Sequence, residues 1–274
     1  MIEILSTLFS YSFMIRALIA GTLVSLCAAL LGVSLVLKRY SMIGDGLSHV
    51  GFGALSVATA LNWAPMGVAL PVVLLSAFLL LRLNAHGRVS SDAAIALVSS
   101  SSLAIGIIAT SLAGGIGTDL YNYMFGSVLA MSRTDVTLAL CLSAVVLILF
   151  VFFYQKIFAV TFDEVFAKAT GLKSELYTML IAALTAITIV IGMRIMGTLL
   201  ISSLIIFPAM TSMRVFHSFR GVVISAALVS VLCFVFGLLF SFMFALPTGA
   251  SVVLVNLVLF LLFSLYAFCR KRSA

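Results

Sequence analysis

The chain has 274 residues, of which 64% are hydrophobic and 8% charged, against about 45–50% apolar and about 25% charged in a soluble domain. That balance excludes a water-soluble fold and makes this an all-α polytopic membrane protein. The formal net charge of +7 sits in short segments between apolar runs, a pattern that orients membrane helices, so lipid and not nucleic acid is the partner it implies.

The first residues, MIEILSTLFSYSFMIRALIAG, lack a basic segment, a short apolar run and a small-residue cleavage site in series, and read as mature chain. A membrane helix needs about 20 apolar residues, and such runs are expected at roughly 12–37, 43–62, 64–83, 93–113, 134–154, 176–196, 197–213, 221–245 and 249–269. Ser90, Ser91 or Asp92 is placed to cap the fourth run. Pro65 and Pro247 fall at boundaries, where a missing amide proton costs little. The run 197–213 is short and contains Pro208, and the first is long enough to include an interfacial prelude, so eight spans stand as the alternative to nine. Cys27, Cys141, Cys233 and Cys269 are far apart in the chain and read as apolar fillers within helices.

Lys38, Arg39, Arg82, Arg88, Lys156, Lys168, Lys173, Arg214, Arg220 and the terminal CRKRS belong in the cytoplasm by the positive-inside rule. His86 and His217 lie in the same loops and read as loop residues. The segments LNWAP, GGIGTDLYNYMFGS and ALPTGA carry no Lys or Arg and belong outside. With nine spans the N-terminus is outside and the C-terminus cytoplasmic.

The second run begins SMIGDGLSHVGFG. Asp45 and His49 are one helical turn apart on one face, and Gly53 at the next step is expected to leave that face open. Gly44, Gly46, Gly51 and Gly53 suit close helix contact. An intramembrane carboxylate costs at least about 2.5–3.5 kcal/mol on insertion scales. Either a hydrogen bond or the nearby Lys38 and Arg39 offset that cost, or the pair is a cation site, because carboxylate and imidazole both ligate Zn²⁺ and Mn²⁺. One Asp and one His are too few for a tight site. A two-fold dimer with this helix at its axis would supply a tetrahedral N₂O₂ set.

Farther along, TFDEVFAKATGLKSELY spaces Phe162, Val165, Phe166 and Ala169 at three and four residues, with Asp163, Glu164 and Lys168 between them and Gly171 as a stop. This short amphipathic helix lies on the inner membrane surface or plugs into a groove of a cytoplasmic partner. No G-x-x-x-x-G-K-[ST] loop is present, so any nucleotide chemistry belongs to another polypeptide. The segment GMRIMGTLLISSLIIFPAMTSMRVF stands out for Arg194 between two glycines and for Pro208, which with Gly197 shapes a bent short helix. Ser99–Ser102 and Asn256 are available for hydrogen bonds across helices.

The segments MIGDGLSHVGFGAL, YNYMFGSVLAMSRTDV, TFDEVFAKATGL, MRIMGTLLISSLIIFPAMTSM and LPTGASVVL, in this order, resemble the metal-ion ABC transporter permeases, the integral-membrane subunits of bacterial zinc and manganese importers. The resemblance implies one transmembrane permease domain over residues 1–274, with the ABC importer permease fold, in the bacterial cytoplasmic membrane. It implies a homodimer, a pair of cytoplasmic ATPase subunits that bind ATP, and an extracytoplasmic metal-binding protein. Phe162, Asp163, Glu164, Phe166, Ala167 and Gly171, within 158–175, would then couple to the ATPase. Asp45 and His49 match the positions associated with metal passage. The chain itself would be a transport subunit and no enzyme, with no permanently bound cofactor and with Zn²⁺ or Mn²⁺ as cargo. Two carboxylates and two imidazoles disfavour Ca²⁺ and Mg²⁺, and their nitrogen share leans to Zn²⁺ over Mn²⁺. Asp119, Tyr121 and Tyr123 either line an outer entrance below the binding protein or anchor a loop at the interface. A stand-alone cation–proton antiporter is the alternative. An intramembrane protease would need a set such as H-E-x-x-H, which the sequence lacks.

Overall fold

The computed structural model describes residues 12–85, 90–113, 126 and 131–273. The described residues form helices α1 (Ser12–Leu37), α2 (Ile43–Ala60), α3 (Pro65–Ala85), α4 (Ser91–Leu112), α5 (Arg133–Phe152) and α6 (Tyr154–Phe162). They continue with α7 (Glu164–Ala169), α8 (Ser174–Met196), α9 (Thr198–Met213), α10 (Phe219–Phe244) and α11 (Thr248–Ser273). Every apolar run expected from the sequence is a helix. Seven of them, α1, α3, α4, α5, α8, α10 and α11, are long and apolar enough to cross a membrane. The count of eight or nine is therefore not reached on length and composition alone. α9 has only 16 residues, and α2 spends its 18 residues partly on Asp45, His49 and glycines.

The centre of the bundle is made by α1, α8 and α9, each buried on most of its surface. α2 packs against all the neighbours that enclose it, α3, α4, α8 and α9. Around this centre, α11 exposes Leu254, Leu257, Val258, Leu261, Leu262, Leu265 and Phe268, and α5 exposes Val145, Ile148 and Val151. Such a continuous apolar exterior would aggregate in water and suits lipid.

One expected loop is largely helical. The fifth run ends at Phe152, and after a turn at Phe153 the chain re-forms as α6. Ile157, Val160 and Thr161 are its buried positions. Their spacing becomes a face only because α8 and α1 lie against it. Phe153 packs on Tyr177 at 5.8 Å, with the Lys156 ammonium 5.6 and 5.3 Å from the two ring centres. Asn256, expected to bond across helices, instead donates to Val252 O one turn back at 2.9 Å. Ser90 begins α4 as anticipated, although its side chain makes no capping bond.

Candidate functional site

Asp45 lies in the first turn of α2, where the exposed amide dipoles favour a carboxylate. His49 follows one turn later, with Nε2 3.7 Å from Asp45 Oδ2. The Asp45 side chain is 45% and the His49 side chain 21% exposed, so the pair opens outward from the bundle. Ser48 Oγ donates to the Asp45 carbonyl at 2.7 Å and leaves both carboxylate oxygens available. Among the described residues, no three His, Cys, Asp or Glu side chains converge. One chain thus presents one carboxylate and one imidazole side by side.

The glycines explain how α2 sits so deep. A Cβ on Gly44 would meet Ile205 of α9, one on Gly46 would meet Ile95 of α4, and one on Gly51 would meet Met193 of α8. The expected open face beyond the pair is not found. Gly53 lies against the Ser102 carbonyl, and a Cβ on Gly106 would stand 2.9 Å from Gly53 Cα, so α4 closes that step backbone to backbone. Near Asp45 and His49 this face of α2 is partly uncovered.

The exposed aromatic segment begins where α6 stops. Asp163 turns extended, and its Oδ1 accepts Phe166 N–H at 2.9 Å, capping α7. Gly171, with φ +85°, ends the turn while Leu172 N–H donates to Ala167 O. Phe162, Val165 and Phe166 are 61, 79 and 64% exposed. Phe162 is the last residue of α6, so the exposed aromatics straddle the Asp163 break. Ala167 is buried with Val160 and Tyr177 and fastens the segment from beneath. His217 is exposed in the α9–α10 connection.

From the sequence, Lys38 is an orienting charge and, with Arg39, one candidate to offset the cost of Asp45. The Lys38 side chain is 8% exposed, and its ammonium donates to Val160 O at 3.4 Å, Glu164 Oε2 at 3.3 Å and Thr178 Oγ1 at 2.9 Å. Glu164 also pairs with Lys168 at 3.2 Å. Burial disfavours both charges, yet the outcomes differ in a physically sensible way. Burial wins at Lys38 and lowers its pKa, because one carboxylate opposes it and Lys168 reinforces it. At Glu164 burial also acts against the charge, but two lysines outweigh it and hold the carboxyl below its ordinary value.

At the opposite end, Arg194 Nε lies 2.9 Å from Asp135 Oδ1, an ion pair that lacks aligned hydrogen-bond geometry. Asp135 Oδ2 accepts Ser132 N–H at 3.3 Å while Ser132 Oγ accepts Asp135 N–H at 3.1 Å, the capping box of α5, and Ser132 Oγ also donates to Asp135 Oδ2 at 2.6 Å. The S-x-x-D spacing was a readable sign of that cap, but nothing in the sequence linked it to Arg194. Beside this pair, Gly126, with φ +71°, rests on the Met196–Gly197 peptide at the α8–α9 break. Asp119, Tyr121 and Tyr123 lie outside the described residues.

Residues 10–267 match the ABC 3 transport family. The manganese transport system membrane protein MntC of Halalkalibacterium halodurans is 29% identical over 255 residues, 93% of this chain and 87% of that protein. The high-affinity zinc uptake system membrane protein ZnuB of Haemophilus influenzae is 29% identical over 252 residues, covering 92% and 97%. A solved structure, PsaBC from Streptococcus pneumoniae in complex with Fab, superposes with a TM-score of 0.86 at 30% identity, covering 96% of this chain and 95% of that one. With Asp45 and His49 adjacent on α2 and Phe162, Val165 and Phe166 exposed about the α6–α7 break, the chain belongs to the ABC 3 transport family, as a membrane-embedded transport subunit whose ATPase is a separate subunit.

Proposed function

We propose that the chain is the permease of an ATP-driven importer of divalent transition-metal ions, working as a homodimer. The observation that carries this reading is the Asp45–His49 pair, 3.7 Å apart and uncovered on a helix otherwise enclosed. A second copy related by a two-fold axis beside α2 completes an N₂O₂ tetrahedron, with metal–ligand distances of about 2.0–2.2 Å. Relatives named for manganese and for zinc support both ions as cargo. The nitrogen share of the ligand set puts Zn²⁺ ahead.

In this reading residues 1–274 are one transmembrane domain with nine spans. At 1.5 Å per residue, α2 and α9 are about 27 and 24 Å long, short against a hydrocarbon core of about 30 Å but supported on all sides by longer helices. Lys38, Arg39, Arg82, Lys156, Lys168, Lys173, Arg214 and Arg220 lie in or beside the α1–α2, α3–α4, α5–α8 and α9–α10 connections, and the positive-inside rule makes those connections cytoplasmic and the N-terminus outer. Arg194, on the other side, is neutralised by Asp135.

The ATPase binds the Phe162, Val165 and Phe166 surface, with Asp163, Glu164, Ala167 and Gly171 holding its shape in segment 158–175. ATP binding and hydrolysis there rock the two permeases, opening the shared path alternately outward and inward. A metal-binding protein delivers the ion at the outer side, where Asp119, Tyr121 and Tyr123 form the entrance. The stand-alone cation–proton antiporter is not favoured by the family.

The test is uptake of radiolabelled Zn²⁺ and Mn²⁺ by cells lacking their own high-affinity systems and carrying this permease with its partner subunits. Asp45→Asn and His49→Ala should each cut uptake at least about tenfold, the loss of one ligand interaction of about 1.4 kcal/mol, while the complex still assembles. Full uptake in both variants removes the pair from the path.

A further inference from the structure

We infer that Lys38 is the positioning residue that ties the ATPase-docking segment to the ion-binding helix, so that movement of one moves the other. The inference rests on the importer reading above and adds to it a named mechanical link. Lys38 follows α1 and donates to three elements at once: α6 through Val160 O, α7 through Glu164, and α8 through Thr178. An ammonium has three N–H donors, and these three acceptors satisfy them all. Its side chain is 8% exposed, so the junction is not a solvated surface pair of the weak kind.

What lies beyond Lys38 makes it a link and not only an anchor. Arg39 adopts the left-handed conformation, φ 61°, while Tyr40 N–H donates to Leu35 O at 2.8 Å and Ile43 N–H to Tyr40 O at 3.0 Å. Gly46 N–H then donates to Met42 O at 3.0 Å. The turn between α1 and α2 is thereby hydrogen-bonded to both helices, and Asp45 stands seven residues after Lys38. A displacement of α7 by a docked ATPase pulls Glu164, Glu164 pulls Lys38, and the bonded turn carries the motion to Asp45 and His49. Phe162, Val165 and Phe166 remain free for docking because the segment is held from its other side.

The test uses the whole complex of permease, ATPase and metal-binding protein in liposomes, read as labelled Zn²⁺ or Mn²⁺ moved per ATP hydrolysed. Lys38→Met should leave the complex assembled and hydrolysing ATP while ions per ATP fall about tenfold, within the usual range of coupling between sites. Thr178→Val, close in volume, removes one of the three acceptors and should lower the ratio less. An unchanged ratio in Lys38→Met overturns the inference, and so does a parallel loss of hydrolysis and uptake, the mark of a merely structural role. Where Lys38→Met fails to assemble, Thr178→Val decides: a lowered ratio upholds the link and a normal ratio overturns it. A wild-type complex that moves neither metal overturns the transport reading instead.

Discussion

At the scale of single residues, chemistry is set by what each polar side chain finds nearby. Asp45 and His49 find each other and open space, whereas Lys38 finds three acceptors and Arg194 finds Asp135. Gly126 is fixed by backbone alone: its φ of +71° and its contact with the Met196–Gly197 peptide leave no room for a Cβ. Gly126→Ala should lower stability by more than the roughly 1–2 kcal/mol that left-handed backbone costs an L-residue, visible as a lower melting temperature in detergent. Arg194→Met and Asp135→Asn should each destabilise. The double variant should cost less than their sum, with a coupling energy on the order of 1 kcal/mol.

At the scale of elements, small residues decide how closely helices approach. α2 and α4 touch backbone to backbone through Gly53 and Gly106. Gly53→Val should push the pair apart at about 1–3 kcal/mol, and thermal unfolding of the purified chain measures it. The segment around α7 has its own dependence on acidity. Because the folded state holds Glu164 below its ordinary value of 4.5, the charged carboxylate stabilises the segment above that pH. This contribution is lost as pH falls through the lowered folded value. Melting temperature should therefore drop with acidification below about pH 5, and Glu164→Gln should show a shallower drop. Partial exposure of Glu164 keeps the effect small.

At the scale of the whole molecule, the bundle leaves Asp45 and His49 partly exposed on α2, and the proposed homodimer would set a second copy against them. In a background with the exposed Cys141 and Cys269 changed to Ser, His49→Cys chains should be joined by a short bifunctional thiol reagent into a species of twice the mass. Cross-linking confined to the monomer would remove the dimer-axis ligand set.

The sequence by itself determined the membrane class, the nine helical runs, the Asp45–His49 spacing and the exposed aromatic segment. Each of these rests on local periodicity or on composition, which survive without knowledge of neighbours. It did not reveal α6, since Ile157, Val160 and Thr161 form a face only against α1 and α8. It gave no sign that Gly53 is covered by α4, or that Lys38 and Arg194 meet Glu164 and Asp135 across 126 and 59 positions of chain. Those contacts belong to the tertiary structure because a buried charge selects its partner by proximity in space, and helix packing alone decides which distant residues become near.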